Sequence, residues 1–383
     1  MTLDQIRAQF SITRSFNFQN HAAVAPISLP AAEALIGYAR EMSEAAYLRG
    51  TYYRAADRVR QAAARLINAD TAEITFPKNT CEGINFVANG VQWMTGDNVV
   101  STAMEFAGNV YPWLALESRG VQLRRVPEED GRVPFDRIAA AIDRRTRIVA
   151  VSGVQWSNGF RLDLHRLGEL CQSRGVLLFV DAIQMLGVHP IDVRAMNIDF
   201  LAAGGHKWLL APEGVAIFYC KRELLGHLRP TEPGYMGMKA GYEGEPTRLR
   251  ADDFHDDARR FESGVSNLAG ITALGASIQL LLDIGIDEVQ VRVKHLTDLL
   301  VEGLRARGWT VHSPRTASEW SGIVSFSSDH HDTDEIRRHL RTEFKIIVAN
   351  RLGRLRSSPH FYNSPEEIRQ LLEALPHNRT ARL

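Results

Sequence analysis

Five consecutive apolar residues, VLLFV at 176–180, run into Asp181 and constrain the fold more than any other stretch of the chain. A strand that is apolar at every position has no solvent face, so it belongs in a mostly parallel sheet covered by helices on both sides. Related runs recur as VVST (99–102), VQLRRV (121–126), RIVAVSG (147–153), DFLAAGG (199–205) and GVAIFY (214–219). Amphipathic stretches such as 54–68 and 163–174 lie between them, which makes the class α/β. The first 25 residues, with Gln19, Asn20 and the small-residue run HAAVAP, read as an extended lead-in rather than a helix. From 226 to 256 the chain is rich in Gly, Pro and Tyr without either period, which predicts a long loop. Helical stretches at 268–284 and 286–307 follow, then WTVHS, GIVSFSS and KIIVAN with helices at 332–342 and 364–375, a smaller α+β unit. At 383 residues the chain exceeds what one hydrophobic core serves, so two domains with a cleft between them are expected.

Lys+Arg and Asp+Glu number 45 each, so a general nucleic-acid or acidic-membrane binder working through a basic face is not expected. Cys81, Cys171 and Cys220 form no CxxC pair and no four-ligand zinc set, which fits a reducing compartment, and the cytoplasm is the expected location. No window approaches the roughly 20 uninterrupted apolar residues that span a bilayer, and no apolar leader opens the chain. Only six of the basic residues are lysines, so Lys207, within FLAAGGHKWLLAPEGVAIFY, stands out.

Asp181 ends a buried strand, where ligands bind in open α/β sheets, although an Asp there also serves as an ordinary helix cap. Gln184 follows within one turn. A desolvated lysine loses basicity and becomes an amine suited to Schiff-base chemistry, whereas an arbitrary lysine is a solvated surface charge. Lys207 has apolar flanks and two preceding glycines. An Asp and a Lys on neighbouring strand ends fit pyridoxal phosphate, whose aldehyde takes the lysine and whose ring nitrogen takes a carboxylate. In ITFPKNTCEGIN a strand leads through Asn79 to Thr80 and Cys81 at a helix start, a site suited to a phosphate or to plain capping. Phe106 in MEFAGNVYPW could cover the ring face.

Taken in order, NTCEGIN (79–85), MEFAGNVYPW (104–113), SNGFRLDL (157–164), VDAIQ (180–184), GGHKW (204–208), RFESGVSN (260–267) and LRSSPHFYN (355–363) resemble the class V aminotransferase family. That family has the fold-type I pyridoxal phosphate fold and includes cysteine desulfurases, kynureninase and isopenicillin N epimerase. The resemblance implies a large domain with a mostly parallel seven-stranded sheet at 26–275 and a small α+β domain at 276–383, joined by the 1–25 segment. It implies that Lys207 forms the cofactor aldimine and moves the α-proton, that Asp181 holds the pyridine nitrogen protonated, and that Gln184 bonds the phenolic oxygen. Phe106 would stack on the ring where desulfurases carry His. Asn158 and Arg356 would bind the substrate carboxylate, Asn158 also touching the cofactor. Cys81 stands where a phosphate-binding Thr is usual, Gly204 where Ser is usual, and Val265 where relatives supply Thr from a partner subunit. The phosphate would therefore rest on Thr80, Cys81, His206, backbone N–H groups and Asn267 across a homodimer interface.

The resulting expectation is a pyridoxal phosphate enzyme acting on an amino acid or small amine, with transamination first, a C–S β-elimination close behind and epimerisation third. Desulfuration through a protein persulfide is disfavoured, because VANRLGRLR before Arg356 has no cysteine where desulfurases carry one. A non-catalytic cofactor-binding relative is the rival reading; a nicotinamide dehydrogenase lacks its GxGxxG here. Tyr235, Met236, Met238 and Tyr242 in the loop, and the lead-in near His21, are expected to shape the pocket.

Overall fold

In the computed structural model the described residues are 1–241 and 249–377. A seven-stranded sheet has the order Ile74–Thr75, Ala216–Cys220, Phe200–Gly204, Leu177–Asp181, Thr146–Ser152, Asn98–Thr102 and Gln122–Val126. Only Ala216–Cys220 runs against its neighbours; the other pairings are parallel. Both faces are dry. Val149, Val151, Leu178, Val180 and Leu201 pack into one apolar cluster, while Ile148, Ala150, Phe179, Phe200 and Phe218 pack into another on the opposite face. Alternate side chains of one strand thus enter two cores, which is why these strands are apolar throughout.

The helices form where capping and periodicity agree. Leu164–Arg174 begins at Asp163, whose carboxylate accepts the Arg166 N–H, and ends at the left-handed Gly175. Leu29–Ala45 and Thr51–Ile67 pack against Leu268–Ile284. Toward the C-terminus, Ala349–Arg351, Arg354–Ser357, Val324–Ser327 and Thr310–Val311 form an antiparallel sheet. It shares a third cluster with Ile286–Ala306, Thr333–Phe344 and Pro365–Ala374 through Leu300, Leu304, Phe326, Leu340, Leu355 and Ile368.

The lead-in differs from its expectation. A reciprocal Thr2/Gln5 capping box starts a helix at Leu3–Arg7, and a 3-10 turn follows at Ser11–Arg14, so only 17–25 is largely extended. Asn17–Phe18 then pairs in parallel with Ile346–Ile347. Arg7 forks onto Glu367 at 2.7 and 3.1 Å, tying the start of the chain to its last helix.

These two ends meet at Trp208. His21 donates through Nδ1 to the Ser358 carbonyl at 2.8 Å, the neutral ring therefore accepts at Nε2 from the Tyr362 hydroxyl at 2.6 Å, and the ring stacks near the Trp208 indole. His360 lies 3.0 Å from the Trp208 carbonyl. Gly187, at φ +101°, brings its backbone so close to the Trp208 carbonyl that a Cβ would sit 2.3 Å from it.

His21 and His360 are completely buried, and burial lowers both pKa values, His360 to about 4. Their folded-state values lie below the ordinary 6.5, so the stability they carry is present above pH 6.5 and is lost as pH falls toward 4. For His360 alone this loss is about 3 kcal/mol between pH 7 and pH 4. Urea midpoints at the two pH values should drop accordingly, and His360→Gln should show a correspondingly shallower fall; equal slopes for the two proteins would refute the assignment.

Candidate active site

Beside the carboxyl ends of the central strands lies a cavity of about 340 Å³. Asp181, Gln184, Thr80, Cys81, Phe106, His206, Lys207 and Arg356 all line it, brought together from across the sequence. Asn158 and Asn267 do not. The Asn158 amide spans a turn, its Nδ2 donating to the Gly131 carbonyl at 2.6 Å and its Oδ1 accepting from the Phe160 N–H at 3.0 Å. Oδ1 and one of the two Nδ2 hydrogens are thus committed to backbone, and the side chain is not part of the cavity wall. Asn267 caps Leu268–Ile284 through the Gly270 N–H and donates to the Gly214 carbonyl, next to a separate concavity with Lys78 and Val265.

Asp181 closes its strand opposite Ser152 on one side and Ala202 on the other. Among the described residues its carboxylate accepts one hydrogen bond, from the Ile183 N–H at 3.0 Å. Burial raises its pKa, the nearby Glu105 charge adds to that, and the Ile183 bond and Lys207 oppose it. Lys207 follows the adjacent strand through Gly204 and Gly205. Its pKa is lowered, first by burial and then by Arg356 and Arg351, against the pull of Asp181. An amine held toward its neutral form is what an aldehyde carbon requires, and the charge of a protonated ring nitrogen would draw the buried Asp181 carboxyl back to the carboxylate needed as its partner.

Gln184 is fixed from both ends. The Trp208 indole N–H, a donor only, gives its hydrogen to Oε1 at 2.8 Å, which identifies the other end as Nε2; that nitrogen donates one hydrogen to the Ala22 carbonyl at 3.0 Å and keeps a second. The helix Thr80–Gly90, capped by Asn79, points its start at the cavity. The Thr80 hydroxyl accepts the Gly204 N–H at 2.9 Å. A Cβ on Gly204 would lie 3.0 Å from the His206 ring, so the imidazole fills the space a serine would need there. Open helix N–H groups with Thr80 and His206 beside them suit a phosphate.

Arg356 carries the clearest demand for a ligand. It is 1% exposed, donates through Nη1 to the Trp156 carbonyl at 2.6 Å, and leaves Nε without a partner. Among the described residues no carboxylate pairs with it. Burial and the Arg351 charge push its pKa down to about 9. An unpaired buried cation aimed into a cavity awaits an anion, and a guanidinium fork matches a carboxylate.

Sequence reasoning missed several neighbours. Trp156 joins the wall, donates to the Met104 carbonyl, and meets the half-exposed Phe106 edge-on at 5.6 Å. Phe106 itself lies 5.8 Å from the Lys207 Nζ. Glu105 is buried and accepts from Thr102, Asn109, Ser152 and Gln155. Arg351 and Ala22–Val24 complete the lining. The signal for Glu105 was present, an acid between strand and aromatic, yet its burial is a property of the fold. Of the loop residues expected here, Tyr235, Met236 and Met238 do not line the cavity, and Tyr242 lies outside the described residues.

A sequence profile for aminotransferase class-V matches residues 30–371. A probable cysteine desulfurase of Methanothermobacter thermautotrophicus is 32% identical over 98% of this chain and 98% of its own length. Among solved structures, the cysteine desulfurase of Thermococcus onnurineus superposes with a TM-score of 0.88 at 25% identity, covering 97% of this chain and 96% of that one. The cystine C-S lyase C-DES, in complex with its reaction product cysteine persulfide, gives 0.86 at 25% identity over 95% and 98%. With the fold, the Asp181–Lys207 pair and these matches in agreement, this chain belongs to the class V aminotransferases, fold-type I enzymes that use pyridoxal 5′-phosphate.

Proposed function

We propose that the enzyme is a C–S lyase that releases sulfur from a cysteine-derived amino acid by β-elimination, without a protein persulfide. The single observation that carries this reading is the hairpin before Arg356. Ala349–Arg351 turns directly into Arg354–Ser357 through Leu352 and Gly353, both at positive φ, a two-residue turn with no cysteine and no loop long enough to present one. Relatives named for cysteine desulfuration and cystine cleavage support sulfur chemistry over transamination, the first expectation from sequence.

Pyridoxal phosphate supplies an electron sink for the carbanion formed at the substrate α-carbon. The chain's own residues do the rest. Arg356 grips the α-carboxylate and orients the Cα–H bond. Lys207 would take the α-proton. Asp181 would keep a proton on the ring nitrogen of the bound cofactor, and the second Nε2 hydrogen of Gln184 would be available to its phenolic oxygen. The Cβ–S bond breaks with its electron pair leaving on sulfur, and water then yields pyruvate and ammonia, with no net oxidation. Thr80, His206 and the helix start hold the phosphate.

Cys81 does not replace the missing loop cysteine. Its thiol faces the cavity, but burial and the Asp181 charge raise its pKa, so at neutral pH it is a poor nucleophile. Cys171 and Cys220 are buried in the two cores. Homodimerisation remains part of the proposal. The exposed Val265 and the neighbouring Asn267 flank a concavity away from Lys207, where they are available to a second subunit.

Lys207→Ala should lose the visible absorption band of the bound cofactor together with pyruvate release, a drop of at least about 10³-fold in kcat. Cys81→Ser should keep pyruvate and persulfide formation from cystine, and pyruvate and sulfide formation from cysteine, within about threefold. Abolition of sulfide release in Cys81→Ser, with pyruvate replaced by alanine as product in the wild type, would turn the reading back to a persulfide relay. Conversion of the cofactor to its pyridoxamine form on mixing with substrate would restore transamination.

A further inference from the structure

We propose that Arg351 is a second anion-recognition group in this cavity, and that the substrate is an amino acid with a carboxylate or similar anion beyond the Cβ–S bond. The proposal rests on the C–S lyase reading and refines its substrate class.

The hairpin builds the site. Ala349 pairs with Arg356 and Arg351 with Arg354, so Arg351 and Arg356 stand on the same face of the two strands as diagonal neighbours. Such neighbours lie roughly 7–8 Å apart at their backbones, close enough for one long ligand to touch both. Both line the cavity that holds Lys207. Arg351 is half-buried, and among the described residues its guanidinium makes one hydrogen bond, at 2.8 Å, to the carbonyl of its own neighbour Asn350. Among the described residues no carboxylate reaches either guanidinium, in a chain that carries 45 acidic residues. Among the described residues Asp181 is the only acid on the cavity wall, and the cofactor ring nitrogen would claim it.

This arrangement disfavours the folded chain on its own. Arg351 faces Arg354 directly across the ladder, a like-charge pairing that costs stability, and its field weakens the protonation of both Lys207 and Arg356. A single α-carboxylate neutralises one cation. Arg356, fully buried and anchored to Trp156, takes that role, which leaves the guanidinium on the hairpin tip for a second negative group. The tip is a two-residue turn with Leu352 at φ 54° and Gly353 at φ 72°, so Arg351 sits on a rigid support. Disulfide-linked or S-carboxyalkylated cysteines have this chemistry: one carboxylate on the α-carbon, another past the sulfur. Their elimination breaks Cα–H and Cβ–S, sends the electron pair out on sulfur, and releases a thiolate or persulfide that carries the distal carboxylate.

The test compares the holoenzyme with Arg351→Gln and Arg351→Glu. Pyruvate release is followed with S-carboxymethyl-L-cysteine, neutral S-ethyl-L-cysteine and cationic S-aminoethyl-L-cysteine. A charge-assisted contact predicts that the wild type prefers the acid over the neutral probe by roughly 10- to 100-fold in kcat/KM, mostly through KM. That ratio should collapse toward 1 in Arg351→Gln and invert toward the cationic probe in Arg351→Glu. Because removing Arg351 also shifts Lys207, the ratio rather than either rate is the readout, and an undiminished cofactor band certifies the fold. A ratio unchanged within twofold in Arg351→Gln overturns the proposal. If no probe yields pyruvate, the C–S lyase reading falls by itself. The dissociation constants of L-2-aminoadipate and L-norleucine, read from the cofactor band, then decide: preference for the diacid that Arg351→Gln abolishes supports the second site, and equal binding removes it.

Discussion

Trp208 holds together three parts of the chain that are distant in sequence, and the active-site cavity exists because it does. Its indole N–H orients Gln184, its ring lies against His21, and its carbonyl meets His360. Lys207 is the residue immediately before it. The fully buried indole therefore fixes the base of Lys207, while Ala22–Val24 of the lead-in and Arg356 join the same cavity wall. His21 and His360 must stay neutral inside this junction, because a charged imidazole there would be desolvated without a counter-ion. Assembly of the pocket and burial of uncharged histidines are thus one event.

Electrostatically the cavity is divided into two ends. Asp181 lies at the sheet end, backed by the buried Glu105 carboxylate with its ring of donors, so a protonated ring nitrogen meets negative potential there. Arg351 and Arg356 lie at the hairpin end, which is the positive one and, on the proposed reading, would take a substrate carboxylate. Lys207 sits between them and feels both, which is why its basicity is a compromise between burial, the two arginines and Asp181. A fixed gradient of this kind orients an amino acid before any bond changes, and orientation is what selects the bond that breaks.

How much of this was legible follows from the kind of signal each residue leaves. The central strands were readable because burial on both faces forces apolar residues at consecutive positions, and helix ends such as Asp163 and Gly175 carry local capping chemistry. Asp181, Gln184, Lys207 and Arg356 were found through a motif order that spans the chain, and the cavity unites them. Leu3–Arg7 was missed because a single capping box outweighed a weak periodic signal. Asn158 and Asn267 lie off the wall of this cavity, and sequence alone does not separate an asparagine that satisfies backbone in a turn or at a helix start from one that binds a ligand. Glu105, Trp156 and Arg351 acquire meaning only from tertiary burial: a carboxylate with four side-chain donors, an indole whose carbonyl anchors Arg356, and an arginine in a chain crowded with arginines.

The hairpin at Leu352–Gly353 links the chemistry of the cavity to the fate of the sulfur. A flexible loop with a cysteine can collect sulfur covalently and carry it away; a two-residue turn can do neither, because its backbone is fixed by the ladder that also positions Arg356. Shortening the connection therefore trades a mobile nucleophile for a rigid cation. With a cation on the tip, an anionic sulfur fragment would be oriented while the Cβ–S bond breaks, and a small thiolate or persulfide rather than a protein persulfide would carry the sulfur out of the cleft.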